Sequence, residues 1–262
     1  MSAKTICLCG IFAIAGLMFT SCEKIIDVDL NSADPKTVIE ANLREGDHQF
    51  QVHVYQTKDY FSNDPTVNFD DASVRLSDDS GESIDLTPVG NGTYEAQMIA
   101  VAGKTYTLQV TRNGETFTAS STLPEVTTIK QITYKEVELP GEDDNQEVYL
   151  RFDDRVGEHN YYRILVTAND TLDYQLQYFD DKYFDGNDVQ WSLNDFYSQG
   201  DRLSVELRSI DAAAYKYYLT LAPILSGNDD TAPGNPIGNW QGGALGYFIA
   251  FSSSRIDGVV PQ

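Results

Sequence analysis

The stretch that decides the fold of this chain is Thr105-Tyr-Thr-Leu-Gln-Val-Thr-Arg-Asn-Gly-Glu-Thr-Phe-Thr-Ala-Ser-Ser121. Two runs rich in β-branched and aromatic residues, 105–111 and 115–121, flank the dipeptide Asn113-Gly114. Because Asn and Gly both tolerate positive φ, this dipeptide is a strong local signal for the turn of a β-hairpin. The stretch therefore predicts two antiparallel strands joined by a tight turn.

Similar segments precede this hairpin. In 48–56, Phe50, Val52 and Val54 share one face and polar residues occupy the other, which indicates a half-buried strand. Further short strands are predicted at 37–43, 72–76, 84–86 and 93–98, separated by turns rich in Gly, Asn and Asp. About seven strands of this kind predict a β-sandwich over 37–124, which Pro124 ends.

The remainder, 125–262, is predicted to form a second domain that is also rich in β-structure. Its predicted strands are 129–139, 147–152, 161–167, 172–179, 203–207 and 246–252. The period changes at 209–222, where an Ala-rich segment predicts one helix capped by Ser209 or Asp211 and ended by Pro223. The face expected to pack on the core carries Ala214, Tyr217, Tyr218 and Leu221. A long loop is predicted over 227–243.

The N-terminus has the pattern of a bacterial lipoprotein signal. Lys4 precedes an apolar run at 6–19, and Thr20-Ser21 leads directly to Cys22. The run suits a signal peptide and is too short to span a bilayer comfortably. We therefore predict a signal peptide at 1–21, lipidation of Cys22, and an acidic tether at 22–36. Plain secretion after Ala13-Ile14-Ala15 remains the alternative.

Cysteine usage limits the chemistry of the mature chain. Cys7 and Cys9 lie inside the predicted signal, so Cys22 is the only cysteine left after cleavage. No disulfide within the mature chain is then possible, and lipidation removes the last thiol. The acids Glu23, Asp27 and Asp29 resemble an export signal that directs lipoproteins to the cell surface in Bacteroidota. A flexible spacer is the alternative for that segment.

The chain carries 40 acidic and 18 basic residues, for a formal charge of −22. A field of this sign repels nucleic acid and anionic membrane surfaces, so we expect no nucleic-acid partner. Sixteen tyrosines and twelve phenylalanines fit a β protein outside the cytoplasm.

Acidic loops supply the only candidate metal ligands. Asp180, Asp181, Asp185 and Asp188, with Asn187, could offer oxygen atoms to Ca²⁺, although their spacing does not match an EF-hand. The run Glu142-Asp143-Asp144 is a weaker case. A solvated loop is the favoured interpretation of these residues, because acidic side chains are mostly exposed. No other cofactor is expected.

Aromatic side chains crowd the region around Trp191, and they could form a platform for a sugar ring or a peptide. The residues singled out are Trp191, Tyr183 and, in the Gly-rich loop, Trp240. Packing in the core is the favoured alternative, since aromatic residues on strands are usually buried.

The sequence carries no motif of a known reaction. His48, His53 and His159 have no metal-ligand spacing, and neither a nucleophile elbow nor a phosphate-binding loop is present. We therefore expect a protein that is not an enzyme. A structural or adhesive surface protein stays open as an alternative, and so, less strongly, does a hydrolase that uses paired carboxylates.

Several motifs occur in an order that resembles a known family. They are Cys22 with its acidic tether, Thr37-Val-Ile-Glu-Ala41, Ala72-Ser-Val-Arg-Leu76, Gly92-Thr-Tyr94, Gly103-Lys-Thr-Tyr106, Thr122-Leu-Pro124 and Gly234-Asn-Pro-Ile-Gly-Asn-Trp-Gln-Gly-Gly-Ala-Leu-Gly-Tyr-Phe248. The first domain looks like an immunoglobulin-like sandwich of the transthyretin-like type. The whole mature chain resembles the Bacteroidota lipoproteins grouped as domain of unknown function 4249.

The resemblance implies a place rather than a reaction. Members look like surface lipoproteins that are often encoded beside TonB-dependent transporters of the outer membrane. It therefore implies a lipid-anchored protein of the outer membrane, exposed at the cell surface. There it would act as a non-enzymatic binding or accessory component of nutrient uptake, with such a transporter as its partner.

Overall fold

A computed structural model describes residues 34–58, 62–139, 142–226 and 234–262 of the chain. The predicted signal at 1–21, Cys22 and most of the tether lie outside these residues. So do the side chains of Glu142, Asp143 and Asp144 and the first part of the predicted loop at 227–243. Residues Pro35–Gln262 form one compact unit. It is mostly β, with one helix among the described residues, so the predicted fold class is confirmed.

The predicted strands of the first half are all present. They are β1 (Thr37–Arg44), β2 (Gln49–Gln56), β3 (Ser73–Asp78), β4 (Ser83–Gly90), β5 (Thr93–Gln97), β6 (Thr105–Arg112) and β7 (Glu115–Thr122). The Asn-Gly turn connects β6 and β7 as predicted, with positive φ at both Asn113 and Gly114. The hairpin therefore forms where the sequence indicates it.

These strands fold into a β-sandwich because β4 belongs to two sheets. Its first half pairs with β3, and its second half pairs with β5, with a register shift between Pro88 and Gly90. The inward residues of both sheets meet in one core, which includes Phe50, Val52 and Val54 on the predicted face of β2. Tyr94 is fully buried there. The sequence alternation thus decides which face packs inside.

The second half adds eight strands and the helix. They are β8 (Ile129–Leu139), β9 (Glu142–Asp153), β10 (Tyr161–Ala168), β11 (Thr171–Leu172), β12 (Gln177–Asp180), β13 (Asp188–Ser198), β14 (Arg202–Ile210), α1 (Ala212–Ser226) and β15 (Leu245–Val259). Strands β13, β9 and β8 form a separate antiparallel sheet. Its inward side packs with those of β10 and β14 in a second core.

β15 connects the two halves of the chain. Its residues 245–251 pair in parallel with β1, and residues 252–259 pair antiparallel with β14. Phe248 and Ala250 accordingly lie in the core of the first sandwich. The strand is much longer than the predicted 246–252. The division of the chain into domains at 124/125 stays a prediction, since this strand serves both parts.

The Gly-rich segment before β15 is fixed by close backbone contacts. Gly246 has a φ of +93°, and a Cβ there would lie 2.2 Å from the carbonyl oxygen of Ile39. Asn239 donates to the carbonyl oxygens of Ser120 and Phe248 and accepts from the Phe248 amide. The segment therefore joins the end of β7 to β15, and its glycines allow the approach.

The helix confirms the predicted packing face and corrects its end. Ala214 and Tyr218 are buried, and Tyr217 and Leu221 pack beside them. Pro223 was expected to end the helix, yet α1 continues to Ser226. Pro223 has no backbone N–H to donate to the carbonyl oxygen of Leu219, four residues earlier. Leu219 is exposed, so water can donate to that oxygen and the helix can continue.

Two strand predictions were wrong. The segment 172–179 is not one strand, because the ladder stops after Leu172 and resumes at Gln177; Tyr174 in the gap is 84% exposed. Strand β13 was not predicted at all. Asn194 has positive φ, and the register shifts between Ser192 and Phe196, where residues 193–195 lie opposite Val148 alone. Val189, Leu193 and Tyr197 are the buried residues of this strand, so burial does not recur at every second residue.

No helix among the described residues is long and apolar enough to cross a membrane.

Candidate functional site

A cleft of about 710 Å³ opens where the exit from the first sandwich meets the start of α1. Three segments line it: the residues after β7, the β9–β10 connection, and the end of β14 with the first turn of α1. Each segment is held at its ends by strands of one of the two cores. Recessed surfaces of this size on a rigid scaffold are typical binding sites.

Asp211 fixes the helical wall of this cleft. Its carboxylate accepts hydrogen bonds from the Ala214 amide at 2.8 Å, the Ser121 hydroxyl at 2.7 Å and the Thr122 amide at 3.0 Å. Asp211, rather than Ser209, is therefore the N-cap of α1. Burial raises the pKa of Asp211, although these donors act to lower it. One side chain thus ties the helix to the end of β7.

A series of rings extends outward from the cleft. His159 and Tyr161 lie 4.7 Å apart between ring centroids, Tyr161 and Tyr215 lie 5.0 Å apart, and Tyr178 meets Tyr215 at 5.7 Å. The rings come from the β9–β10 connection, β10, α1 and β12. All three tyrosines are partly exposed. We name His159, Tyr161, Tyr178 and Tyr215 the ring series.

Charged and polar groups border the ring series. Asp180 and Asp181 approach the two ring nitrogens of His159 at 3.6 and 3.7 Å. Burial raises the pKa of Tyr161, and these two carboxylates raise it further. Arg155 donates to the Asn160 side-chain oxygen at 3.1 Å on the opposite side of the connection. The cleft therefore offers flat apolar surfaces beside carboxylates and a guanidinium.

Three carboxylates meet at the acidic loop after β12. Asp181 and Asp185, two of the predicted calcium ligands, meet Asp154, and the three carboxylates lie within 4.8 Å of one another. Asp154 and Asp181 are buried, and Asp185 is exposed. Asp154 directly follows β9 and was not predicted as a ligand, because the pairing of β9 with β13 brings it to this loop.

Protein donors already occupy these carboxylates. Their donors are the Tyr162 hydroxyl and the Gly186 amide to Asp154, the Asn160 amide to Asp181 and the Gly157 amide to Asp185. Ca²⁺ takes six to eight oxygen ligands whose lone pairs face the ion. Here four protein donors bond to the three carboxylates, so these side chains hold the loop against its neighbours. The geometry fits calcium poorly.

The other two predicted calcium ligands lie elsewhere. Asp188 accepts from Arg151 at 2.8 Å and pairs with Lys130 at 3.4 Å on the surface of the three-stranded sheet. Asp180 faces His159. The four aspartates are therefore not assembled into one site.

The three proposed platform residues are also separated. Trp191 stacks on Phe179 with ring centroids 3.7 Å apart and packs against the second core. Trp240 packs against the first core and donates its indole N–H to the carbonyl oxygen of Ile39 at 3.1 Å. Tyr183 is 86% exposed, with the Lys182 ammonium 5.3 Å from its ring. The structure places His159 and Tyr161 of the ring series, and none of these three residues, in the lining of the cleft.

Sequence reasoning missed most of the residues that line the cleft. His159 was singled out only as a histidine without ligand spacing. Tyr161 was seen only as part of a strand. Neighbouring aromatic and acidic residues at the ends of predicted strands were the available signal, but nothing in their spacing indicated that α1 would meet them.

The family assignment rests on sequence. Residues 23–257 match the family described as "Domain of unknown function (DUF4249)", and the chain belongs to that family, as its motifs predicted. No curated protein matches the chain.

Two solved structures are among those to which the chain shows similarity. One is a two-domain fibronectin type-III segment of chicken tenascin, with 11% identity, a TM-score of 0.25, and coverage of 87% of this chain and 100% of that one. Another is a cytokine receptor complex, with 10% identity, a TM-score of 0.29, and coverage of 83% and 94%. These scores are too low to carry any argument about function.

Proposed function

We propose that this protein is a lipoprotein anchored to the outer membrane through Cys22, where it serves as a non-enzymatic binding component of a nutrient-uptake system. The anchor is supported by the apolar run that ends at Cys22 and by membership of the family. Twelve residues separate Cys22 from the start of the compact unit at Pro35. Fully extended, they reach about 45 Å, which is enough to hold the folded unit clear of lipid headgroups.

The ring series beside the cleft carries the binding part of this proposal. Partly exposed aromatic rings that are fixed on strands and a helix lose little conformational freedom when a ligand covers them. The adjoining carboxylate of Asp180 and the guanidinium of Arg155 can orient a ligand by hydrogen bonds. A flat solute or an extended chain with polar edges suits such a surface.

The partner is proposed to be a TonB-dependent transporter of the same membrane. This part of the proposal is supported by the family resemblance, because the residues of the cleft do not indicate a particular protein partner. The net charge of −22 keeps the folded unit away from anionic lipid and leaves it available to a partner or ligand.

Co-purification tests this function. The tagged protein would be extracted with detergent from its native membrane, and proteins captured with it would be identified by mass spectrometry. We expect a β-barrel transporter in the wild-type sample, and a growth defect on at least one nutrient after deletion. Cys22→Ser should abolish the capture, because the variant leaves the membrane.

Two tyrosine variants separate binding from anchoring. Tyr215→Ala removes one ring of the series and should reproduce the growth defect while the protein stays in the membrane fraction. Tyr174→Ala, at an exposed tyrosine between β11 and β12, is the matched control and should grow normally. Absence of any captured transporter together with normal growth after deletion would overturn the proposal. A change confined to surface attachment would favour a structural or adhesive role instead.

A further inference from the structure

A second concavity lies on the first sandwich, apart from the cleft. It measures about 350 Å³ and is floored by the outward side chains of β1 and β2, with Tyr247 of β15 at one side. Its polar lining residues are Glu40, Asn42, Asp47, Gln49, Gln51 and His53. We name this surface the polar face. None of the residues lining it is Lys or Arg.

Strand pairing arranges the polar face in rows. One row runs Tyr247, Glu40, His53 and Thr93 across β15, β1, β2 and β5, and the next contains Asn42, Gln51 and Glu95. Adjacent strands are about 4.8 Å apart, so a row of four side chains extends over about 14 Å. The face is therefore long enough for an elongated ligand and presents a polar group at each strand.

Hydrogen bonds fix the direction of several of these side chains. Gln51 donates its amide to Glu95 at 2.6 Å, and His53 bonds to the Thr93 hydroxyl through Nδ1 at 3.1 Å. The Asn42 amide reaches the Tyr247 hydroxyl at 3.4 Å. Each of Asn42, Gln51 and His53 also has a second polar atom that these hydrogen bonds do not use. The groups are thus oriented before any ligand arrives.

Helix α1 forms a wall along this face. It covers Ile249 and Phe251 of β15, which would otherwise continue the rows as apolar groups. Tyr217 of α1 packs on Tyr247 with ring centroids 5.0 Å apart. The wall therefore ends in tyrosine rings at the border of the polar side chains.

The chemistry of the polar face selects a class of ligand. Amides both donate and accept, carboxylates accept, and a ring borders them, so hydroxyl groups that donate and accept would be matched. The carboxylates of Glu40 and Asp47 would repel an anionic ligand, and the few apolar side chains in the lining would bind an apolar ligand poorly.

We propose that the polar face binds a neutral saccharide chain that lies across β15, β1, β2 and β5. Binding here depends on neither the lipid anchor nor the ring series, so this inference goes beyond the proposed function and can fail without it.

Isothermal titration calorimetry on the full-length protein tests the proposal. The protein would be held in a detergent without a sugar headgroup, and the probes are maltohexaose, cellohexaose, mannohexaose and laminarihexaose. Oligogalacturonate is the anionic comparison. We expect at least one neutral hexaose to bind and the oligogalacturonate not to bind, because its carboxylates would face Glu40 and Asp47.

Single substitutions locate the binding on the polar face. Asn42→Ala and Gln49→Ala should each weaken binding roughly three- to tenfold, the usual effect of losing one hydrogen bond. Gln109→Ala, at an exposed position on β6 in the other sheet of the sandwich, should leave it unchanged. All three positions are exposed, so the variants should keep the fold. Absence of binding by all four hexaoses would overturn the proposal, and so would affinities that Asn42→Ala and Gln49→Ala leave unaltered.

Discussion

Asp211 should contribute more to stability than a helix cap at the surface. Its carboxylate holds the first turn of α1 and also the Ser121 hydroxyl and the Thr122 amide at the end of β7. Ser121 is itself buried, and its oxygen accepts from the Ala250 amide of β15. The side chain therefore links the start of α1 to the end of β7 and, through Ser121, to β15.

The expected cost of Asp211→Ala follows from these contacts. Loss of an N-cap costs about 0.5–2 kcal/mol. A buried donor left without an acceptor costs about 1–3 kcal/mol, and Ser121 becomes such a donor. The Thr122 amide belongs to an exposed residue and can recruit water. The sum is about 1.5–5 kcal/mol. For a unit of this size, each kcal/mol lowers the melting temperature by roughly 2–4 °C.

Urea denaturation and calorimetry would measure this effect. Asp47→Ala is the matched control, because Asp47 is exposed and its carboxylate makes no hydrogen bond within the described part of the chain. We expect a change of less than about 0.5 kcal/mol for that variant. Asp211→Asn keeps a good capping residue but turns an amide donor toward two donors, so it should fall between the two. A loss below about 0.5 kcal/mol for Asp211→Ala, the lower limit for a cap alone, would refute the assigned role of the carboxylate.

The pH dependence provides a second check. The pKa of Asp211 is raised by burial, so its folded state favours the protonated form. This contribution to stability is complete at pH values below the unfolded pKa of about 3.9 and declines as the pH rises through the folded pKa. Wild type should therefore lose stability relative to Asp211→Asn as the pH is raised from 4 across that range. A constant difference would contradict the assignment.

Three other expectations are tested more briefly. Lys104 donates to Asp78 at 2.5 Å and lowers the pKa of Asp78 to about 2. The pair should therefore stabilise the fold above pH 4, and this contribution should disappear as the pH falls toward 2. Asp78→Asn should flatten that part of the curve of stability against pH, and an unchanged curve would contradict this role of the pair. Gly246→Ala should destabilise the folded protein by more than about 2 kcal/mol, because the added Cβ would lie 2.2 Å from the Ile39 carbonyl oxygen and φ is +93°. Thermal melts would measure this loss, and a variant as stable as the wild type would disprove the contact. Melting midpoints in Ca²⁺ and in chelator should coincide, because donors already occupy the carboxylates of Asp154, Asp181 and Asp185; a higher midpoint in Ca²⁺ would show that the loop binds the ion.

The parts of the fold that follow local rules could be predicted from the sequence. The Asn113-Gly114 turn, the buried face of β2 and the full extent of β8 depend on neighbours in the chain, and each was found where the sequence indicated it. The packing stripe of α1 is a local pattern as well. Physical preferences that act over a few residues are sufficient for these elements.

Other parts depend on contacts that no local pattern contains. The bulge at Asn194 interrupts the pairing of β13 with β9, and the long β15 pairs with both β1 and β14. Asp154 joins the acidic loop only through strand pairing. The cleft exists because α1 returns to the end of β7, and the sequence carries no sign of that meeting beyond the residues themselves. Its ring series was therefore invisible before the fold was known.

Lipidation of Cys22 is the claim on which the proposed location depends, and metabolic labelling with an alkyne-bearing fatty acid tests it most directly. Cells of the native host would express wild type or Cys22→Ser, and label and membrane association would be measured after fractionation. We predict that the wild-type protein carries the label and sediments with the outer membrane, and that Cys22→Ser is unlabelled and released. An unlabelled wild type, or a variant that stays in the membrane fraction, would contradict the account.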